Sequence, residues 1–412
     1  MVTVDEKYIS LLRDVIDNGV WKNTRSGRVK SVFGRTLRFD LKEGFPLLTT
    51  KKVYTKGIIH ELLWFISGNT NIKYLVDNNV HIWDDDAFRW FKTLDFKRIG
   101  RKEPYIDEDD NKEHIDVIGY YKLDYRIFDL DEDIDCSYTL VKDNDFENEE
   151  PIFIDEFIKT LTKEKFVEFI KNNTSLHRYD IHSGRKVSDS IIYKFGDLGE
   201  VYGKQWRSFG ISNRDQLQNI IDTLKTNPDD RRMVMTAWNP DVLEYIALPA
   251  CHMFSTFWTR ELSSEERMNI WFNKYNTNKN TFTNKSNEEI IEILDNDNIP
   301  SRELSCSFTC RSQDLFLGTP FNWGSYALLT HLIAHCVNMT VGELIYNGLD
   351  CHIYECHMDA VKEQITRDPK KYKSPKLSLN PGKKNIDDFV FDDIKIDDYQ
   401  SYSTLKAPLS VG

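Results

Sequence analysis

The chain has 412 residues, 54 basic and 66 acidic, giving a formal net charge of −12; 40% are hydrophobic and 13% aromatic. That much apolar material excludes a wholly disordered chain. No run nears the roughly 18–20 apolar residues of a membrane span, and the acidity argues against nucleic-acid binding, which needs a basic face.

Residues 1–19 hold no apolar run with a basic flank, so no signal peptide is expected. Residues 8–18 have helical periodicity, residues 31–39 alternate as a strand, and residues 58–67 read as an apolar helix stopped by Gly68. Residues 93–194 change character, with 25 acidic and 16 basic side chains and acidic runs at 107–110 and 143–150. Within them Phe157, Ile158, Leu161, Phe166, Phe169 and Ile170 recur at near-helical spacing over 152–170, which predicts a folded insertion with acidic loops. Residues 232–238 read as a buried strand. A second polar, Asn-rich stretch, 259–303, has 9 acidic and 6 basic residues and a helix at 287–294. Residues 308–316 read as a strand interrupted by Arg311-Ser312, and 326–338 as a helix with few charges, hence deep in the core. Strands and helices alternate without regular βαβ spacing, which predicts an α+β fold centred on a mixed sheet. The expected organisation is one domain over 1–412 with insertions at 93–194 and 259–303. The other 265 residues carry equal numbers of acidic and basic side chains, so the acidity belongs to the insertions.

The chemistry centres on Cys251, between Pro249-Ala250 and His252. A lone cysteine is most often a buried structural thiol. Here Arg231-Arg232, Arg311-Ser312 and Arg25 in a Gly-containing loop accompany it, and clustered guanidinium groups bind phosphate and favour a nearby thiolate. Glu61 is a single charge in an apolar helix, suited to general acid/base work or to a neighbouring partner. His60-Glu61 begins like a zinc-protease motif, but Trp64 stands where the second histidine belongs. Cys351, His352, Cys356 and His357 match no common zinc spacing, so no metal is expected. Seven scattered cysteines fit free thiols in a reducing, cytoplasmic setting, the host's if the source is viral.

Together these motifs resemble the thymidylate synthase family. The resemblance runs in order through Thr24-Arg25-Ser26-Gly27, residues 45–51 (FPLLTTK), 58–65 (IIHELLWF) and Ile82-Trp83-Asp84. It continues through residues 196–207 (GDLGEVYGKQWR), Arg231-Arg232, Ala237-Trp238-Asn239 and 248–252 (LPACH). Arg311-Ser312, 314–322 (DLFLGTPFN), 325–330, His352 to Tyr354 and Lys406-Ala407-Pro408 complete it. The resemblance implies a thymidylate synthase-like fold and conversion of dUMP to dTMP with 5,10-methylenetetrahydrofolate as donor and reductant, without a metal. It implies that Cys251 adds to C6 of the uracil ring, and that Arg25, Arg311 and Ser312 hold the phosphate. Arg231 and Arg232 would come from the second subunit of a homodimer. Asn322 would read the pyrimidine edge; a carboxylate there would suit cytosine. His352 and Tyr354 would bond the deoxyribose, and Glu61, Tyr202 and His252 would organise water and proton transfers. Ile82, Trp83, Asp314, Gly318 and Phe321 would form the folate side, with Lys51 near its glutamate tail.

Six positions depart from the family pattern: Cys310, Leu349, Asp86, Tyr54, Ala250 and the terminal Val411-Gly412. They cluster on the folate and closure side. A related hydroxymethylase, which quenches the same exocyclic methylene with water, is therefore the alternative outcome. A non-enzymatic binding protein is the second class; the nucleophile, carboxylate and arginine set count against it.

Overall fold

The computed structural model describes residues 2–94, 103–106, 113–116, 137–142, 151–152, 154–180, 185–277, 279–283 and 285–408. The acidic runs at 107–110 and 143–150 and the Val411-Gly412 terminus lie outside them. The chain forms two compact units, Met1–Gly68 with Tyr202–Asn239 and Ala250–Gly412, and Asn69–Val201 with Pro240–Pro249.

The first unit is built on a six-stranded sheet. Its strands are β1 (Val20–Thr24), β2 (Gly27–Asp40), β3 (Val234–Thr236), β4 (His252–Glu261), β5 (Arg302–Asp314) and β6 (Thr340–Tyr354). The spatial order is β1-β2-β6-β5-β4-β3, with β5 and β6 parallel and every other pair antiparallel. The sheet is mixed and the fold α+β, as expected. The helices of this unit are α1 (Val4–Asn18), α2 (Thr55–Ile66), α3 (Tyr202–Arg207), α4 (Gln216–Thr226), α5 (Ser264–Tyr275), α6 (Asn287–Asn296), α7 (Gly318–Cys336) and α8 (Met358–Gln364).

A parallel pair needs a crossover, and α7 supplies it. Its apolar residues run all round rather than along one stripe, so it is buried on nearly every side. Trp323 meets Tyr8, Phe39 and Tyr346 at ring distances of 5.8, 4.6 and 5.5 Å. Tyr326 stacks on Phe308 of β5 at 4.1 Å. The helix begins eight residues before the expected start at 326, because Pro320 sits in its first turn, where its missing N–H costs nothing. In α2, every residue from Gly57 to Ile66 is buried. Gly203 lets α3 rest on it: a Cβ there would stand 2.5 Å from the Phe65 carbonyl.

Residues 232–238 are not a buried strand. They form a half-buried edge: Val234–Thr236 make the strand beside β4, Met233 and Ala237 add backbone hydrogen bonds to it, and Met233, Met235 and Ala237 are buried while Val234 is exposed. Residues 259–303 bulge from the β4–β5 hairpin as a small helical lobe. Capping boxes Ser263/Glu266 and Ser286/Glu289 start α5 and α6. Phe272, Phe282, Ile290, Leu294 and Ile299 form its own small core.

In the second unit, strands Pro151–Ile152, Ser137–Lys142, Thr174–Asp180 and Arg185–Lys194 pair antiparallel in that spatial order. The single helical pattern over 152–170 is two helices, Ile154–Thr160 and Lys163–Lys171, the second capped by Thr162. Phe91, Phe157, Phe166, Phe169, Tyr193 and Phe195 pack as one aromatic cluster.

Candidate active site

Cys251 immediately precedes β4, and the register there is irregular between His252 and Phe254. It forms no disulfide and is half-buried. Three contacts fix it. Its backbone N–H donates to the Tyr202 hydroxyl at 2.8 Å. Its carbonyl accepts the Arg311 N–H at 2.8 Å. The Arg311 guanidinium reaches Sγ at 3.9 Å. Arg311 is itself held by the Ala250 carbonyl at 2.9 Å and lies over the Trp238 ring at 5.3 Å. A cation beside the sulfur favours its nucleophilic, anionic form.

Behind the cysteine lies a buried set of polar side chains. Tyr202 stacks on His252 at 4.1 Å, and His252 Nδ1 meets the Tyr326 hydroxyl at 2.9 Å. Burial holds the His252 pKa down to about 3, so the ring is neutral and cannot serve as an imidazolium acid near neutral pH. Burial pushes both phenols, Tyr202 and Tyr326, well above their usual range. Glu61, from the buried helix α2, adds its charge to the field at both. Tyr326 has no role in the sequence-based site. Its signal is its position one helical turn after Asn322 on α7.

The nucleotide-side residues come from the strand ends. Arg25 is exposed at the tip of the β1–β2 hairpin. Ser312 follows Arg311 on β5, and Asn322 lies half-buried in the first turns of α7. His352 and Tyr354 end β6, their rings perpendicular at 5.2 Å. His352 Nδ1 is 3.2 Å from the Asp350 carbonyl and 3.4 Å from its carboxylate. Asp350 also accepts from Ser31 at 2.8 Å and Lys22 at 3.1 Å. The hydrogen bond from His352, with those from Ser31 and Lys22, keeps this carboxyl well below its usual pKa. Lys22 thus ties the Arg25 hairpin to the His352 strand. Arg231 and Arg232 are exposed, Arg232 with its head 3.3 Å from Asp230.

Asp314 ends β5 and caps the turn into α7 by accepting the N–H groups of Phe316 at 2.9 Å and Leu317 at 3.3 Å. Gly318 and Phe321 follow, both half-buried. Lys51 is buried, its ammonium bonded to the Phe316 carbonyl, and burial lowers its pKa to about 7. Ile82 and Trp83 belong to the second unit, where Trp83 is buried at the start of the helix Asp84–Thr93. Of the departures, Cys310 is fully buried and its thiol is pushed up by burial, while Asp86 is paired with Arg89 at 2.5 Å. The Cys351, His352, Cys356 and His357 set does not converge: Cys351 meets Tyr346, His357 meets Pro408, and Cys356 is exposed.

A half-buried thiol, a guanidinium 3.9 Å from its sulfur, a buried carboxylate and hydrogen-bonded rings suit covalent addition to an electron-poor ring bearing an anion. Comparison with known proteins gives the family. The thymidylate synthase family profile matches residues 6–411. A curated thymidylate synthase of Malacoplasma penetrans (strain HF-2) is 35% identical over 407 residues, which is 98% of this chain and all of that protein. The chain therefore belongs to the thymidylate synthase family, folate-dependent one-carbon transferases.

Proposed function

We propose that the chain is a thymidylate synthase acting on dUMP with 5,10-methylenetetrahydrofolate and releasing dTMP and dihydrofolate. The observation that carries this reading is the Cys251 thiol, held by Tyr202 through its N–H and by Arg311 at its sulfur. The Cys251 thiolate adds to C6, which makes C5 a nucleophile for the one-carbon unit; the bond to sulfur breaks again at the end of the cycle. The folate supplies that unit and then the hydride. Arg25, Arg311 and Ser312 bind the phosphate, and the Asn322 amide pairs with N3–H and O4 of uracil. His352 and Tyr354 take the sugar hydroxyl. Glu61, with Tyr202, His252 and ordered water, carries the proton away from C5; neutral His252 acts by hydrogen bonding alone. The Asp314 carboxylate, 20% exposed, suits the N–H donors of a pterin ring, and the half-buried Phe321 ring suits its stacking face. Gly318 and Lys51 belong to the same folate-side set; Ile82 and Trp83 are assigned to folate by the family resemblance alone.

The working unit in this reading is a homodimer. One face of the sheet leaves Phe254, Trp258 and, on the β3 edge, Val234 exposed, at 38%, 59% and 46%. Monomers rarely leave such a group uncovered. Arg231 and Arg232 would reach across to the partner's phosphate site. Among the described residues no helix is long and apolar enough to cross a membrane, and the proposed setting is the cytoplasm.

Product analysis decides the outcome. Chain, dUMP and 5,10-methylenetetrahydrofolate should yield dTMP with dihydrofolate. The second reading, a hydroxymethylase, is favoured by Asp86, a departure from the family pattern at a position that the resemblance assigns to the folate side, and predicts 5-hydroxymethyl-dUMP with tetrahydrofolate instead.

A further inference from the structure

At the C-terminal end of β5 one carboxylate faces two cationic groups. Asp314 Oδ1, which already caps the α7 turn, lies 3.6 Å from Nδ1 of His357. Lys51 is bonded to the Phe316 carbonyl and sits 3.6 Å from the centre of that ring. His357 is fully buried, and its Nε2 is 2.8 Å from the carbonyl oxygen of Pro408.

A carbonyl oxygen only accepts, so Nε2 carries the hydrogen. In a neutral ring Nδ1 would then turn a lone pair toward a carboxylate in a closed site. The imidazolium removes that conflict. Burial opposes the charge, but the Asp314 carboxylate and the Pro408 carbonyl outweigh it and raise the His357 pKa. Lys51, held to about 7, loses much of its charge near neutrality. Tyr354 faces the imidazole at 5.3 Å between ring centres, and burial raises its phenol, so it stays neutral.

The C-terminal segment is fastened in steps. The Tyr399 hydroxyl donates to the Leu48 carbonyl at 2.8 Å, the Tyr402 N–H to Thr49 at 2.8 Å, and Arg367 to the Ser403 carbonyl at 2.8 Å. Among the described residues, Pro408 on His357 is the last hydrogen-bonded anchor along the chain.

We propose that His357 is a positioning residue: as an imidazolium it clasps the C-terminal segment at Pro408 to the Asp314 carboxylate, so that both are seated together. The catalytic consequence rests on reading Asp314 as a folate contact; the clasp itself does not.

The test uses two full-length variants. His357→Gln keeps an N–H for Pro408 but no charge opposite Asp314, and His357→Leu keeps neither. For His357→Leu, KM for 5,10-methylenetetrahydrofolate should rise about tenfold, dUMP affinity measured without folate should stay unchanged, and carboxypeptidase should trim the C-terminus faster. His357→Gln should keep most of the protease resistance and show an intermediate KM. In the wild type the clasp is present below the raised imidazole pKa and lost above it, so the folate KM should climb as pH rises; in His357→Gln the imidazole's share of that climb should vanish and only the share from Lys51, whose pKa is about 7, should remain. Wild-type folate KM and trimming rate in His357→Leu would overturn the proposal. Equal losses of nucleotide and folate affinity would overturn it too, since they mark general disruption. If the wild-type chain ignores 5,10-methylenetetrahydrofolate, the folate reading of Asp314 fails. Faster trimming of His357→Leu would still support the clasp, and unchanged trimming would sink it.

Discussion

The hydroxyl of Tyr202 receives the backbone N–H of Cys251 at 2.8 Å, so the phenol that closes the back of the site also fixes the main chain of the nucleophile. Tyr202→Phe removes that acceptor and leaves an N–H without it. The cost in stability should be about 1–3 kcal/mol. The rate of Cys251 alkylation should change while dUMP still binds, and kcat should fall about 10²-fold. Unchanged alkylation and turnover would show that the contact positions nothing.

Cys251→Ala should abolish turnover, by at least about 10³-fold, and leave dUMP binding measurable by calorimetry. A variant with wild-type turnover would refute the nucleophile assignment.

Asn322→Asp should move preference from dUMP toward dCMP, because a protonated carboxyl can donate to N3 of cytosine and accept from its amino group. The measurement is the ratio of kcat/KM for the two nucleotides. An unchanged ratio would assign base reading to another group.

Acid should destabilise the protein through two buried histidines. Burial takes His252 from 6.5 to about 3 and His331 to about 4. Both are neutral when folded but protonate in the unfolded chain below about 6.5, so stability is full above that pH and drains as pH falls toward those values. For His252 the loss is on the order of 4 kcal/mol by pH 3. Denaturant midpoints from pH 7 to 4 should fall less steeply in His331→Gln, the variant less entangled with the site.

The helical lobe at 259–303 should be dispensable for folding. Glu261 and Arg302 are directly paired in the β4–β5 ladder. A two-residue Asn-Gly turn joining them closes the hairpin with the twist that the strands require. The shortened chain should keep a cooperative melt and near-parental kcat; loss of either would give the lobe a supporting role.

What the sequence disclosed follows from the range of the forces involved. The periodicities of α1, α2, β2 and β5 are local, and each element formed where its pattern lies, with ends displaced by at most six residues. Residues 232–238 failed because an apolar run does not say whether a strand is central or at an edge. Residues 152–170 are helical as their spacing predicts, but one apolar stripe is continuous over two helices, and only Thr162 marks the break. At the site, residue types and order marked Cys251 and Arg311. The neutrality of His252, the Tyr326 hydroxyl and the Lys22–Asp350–His352 chain depend on burial and on contacts between distant strands, which no local pattern encodes.

Helix α2 has no solvent face from Gly57 to Ile66. Most helices keep an outer side where sequence can drift at little cost. Here any change in size leaves a void or a clash, and any new polar group needs a partner. Glu61 therefore rides on one of the least mutable stretches of the chain. Its aim is guarded by nine neighbours that have no part in the chemistry, and directed evolution of this enzyme should find its useful variation in the loops and the two insertions, not in this helix.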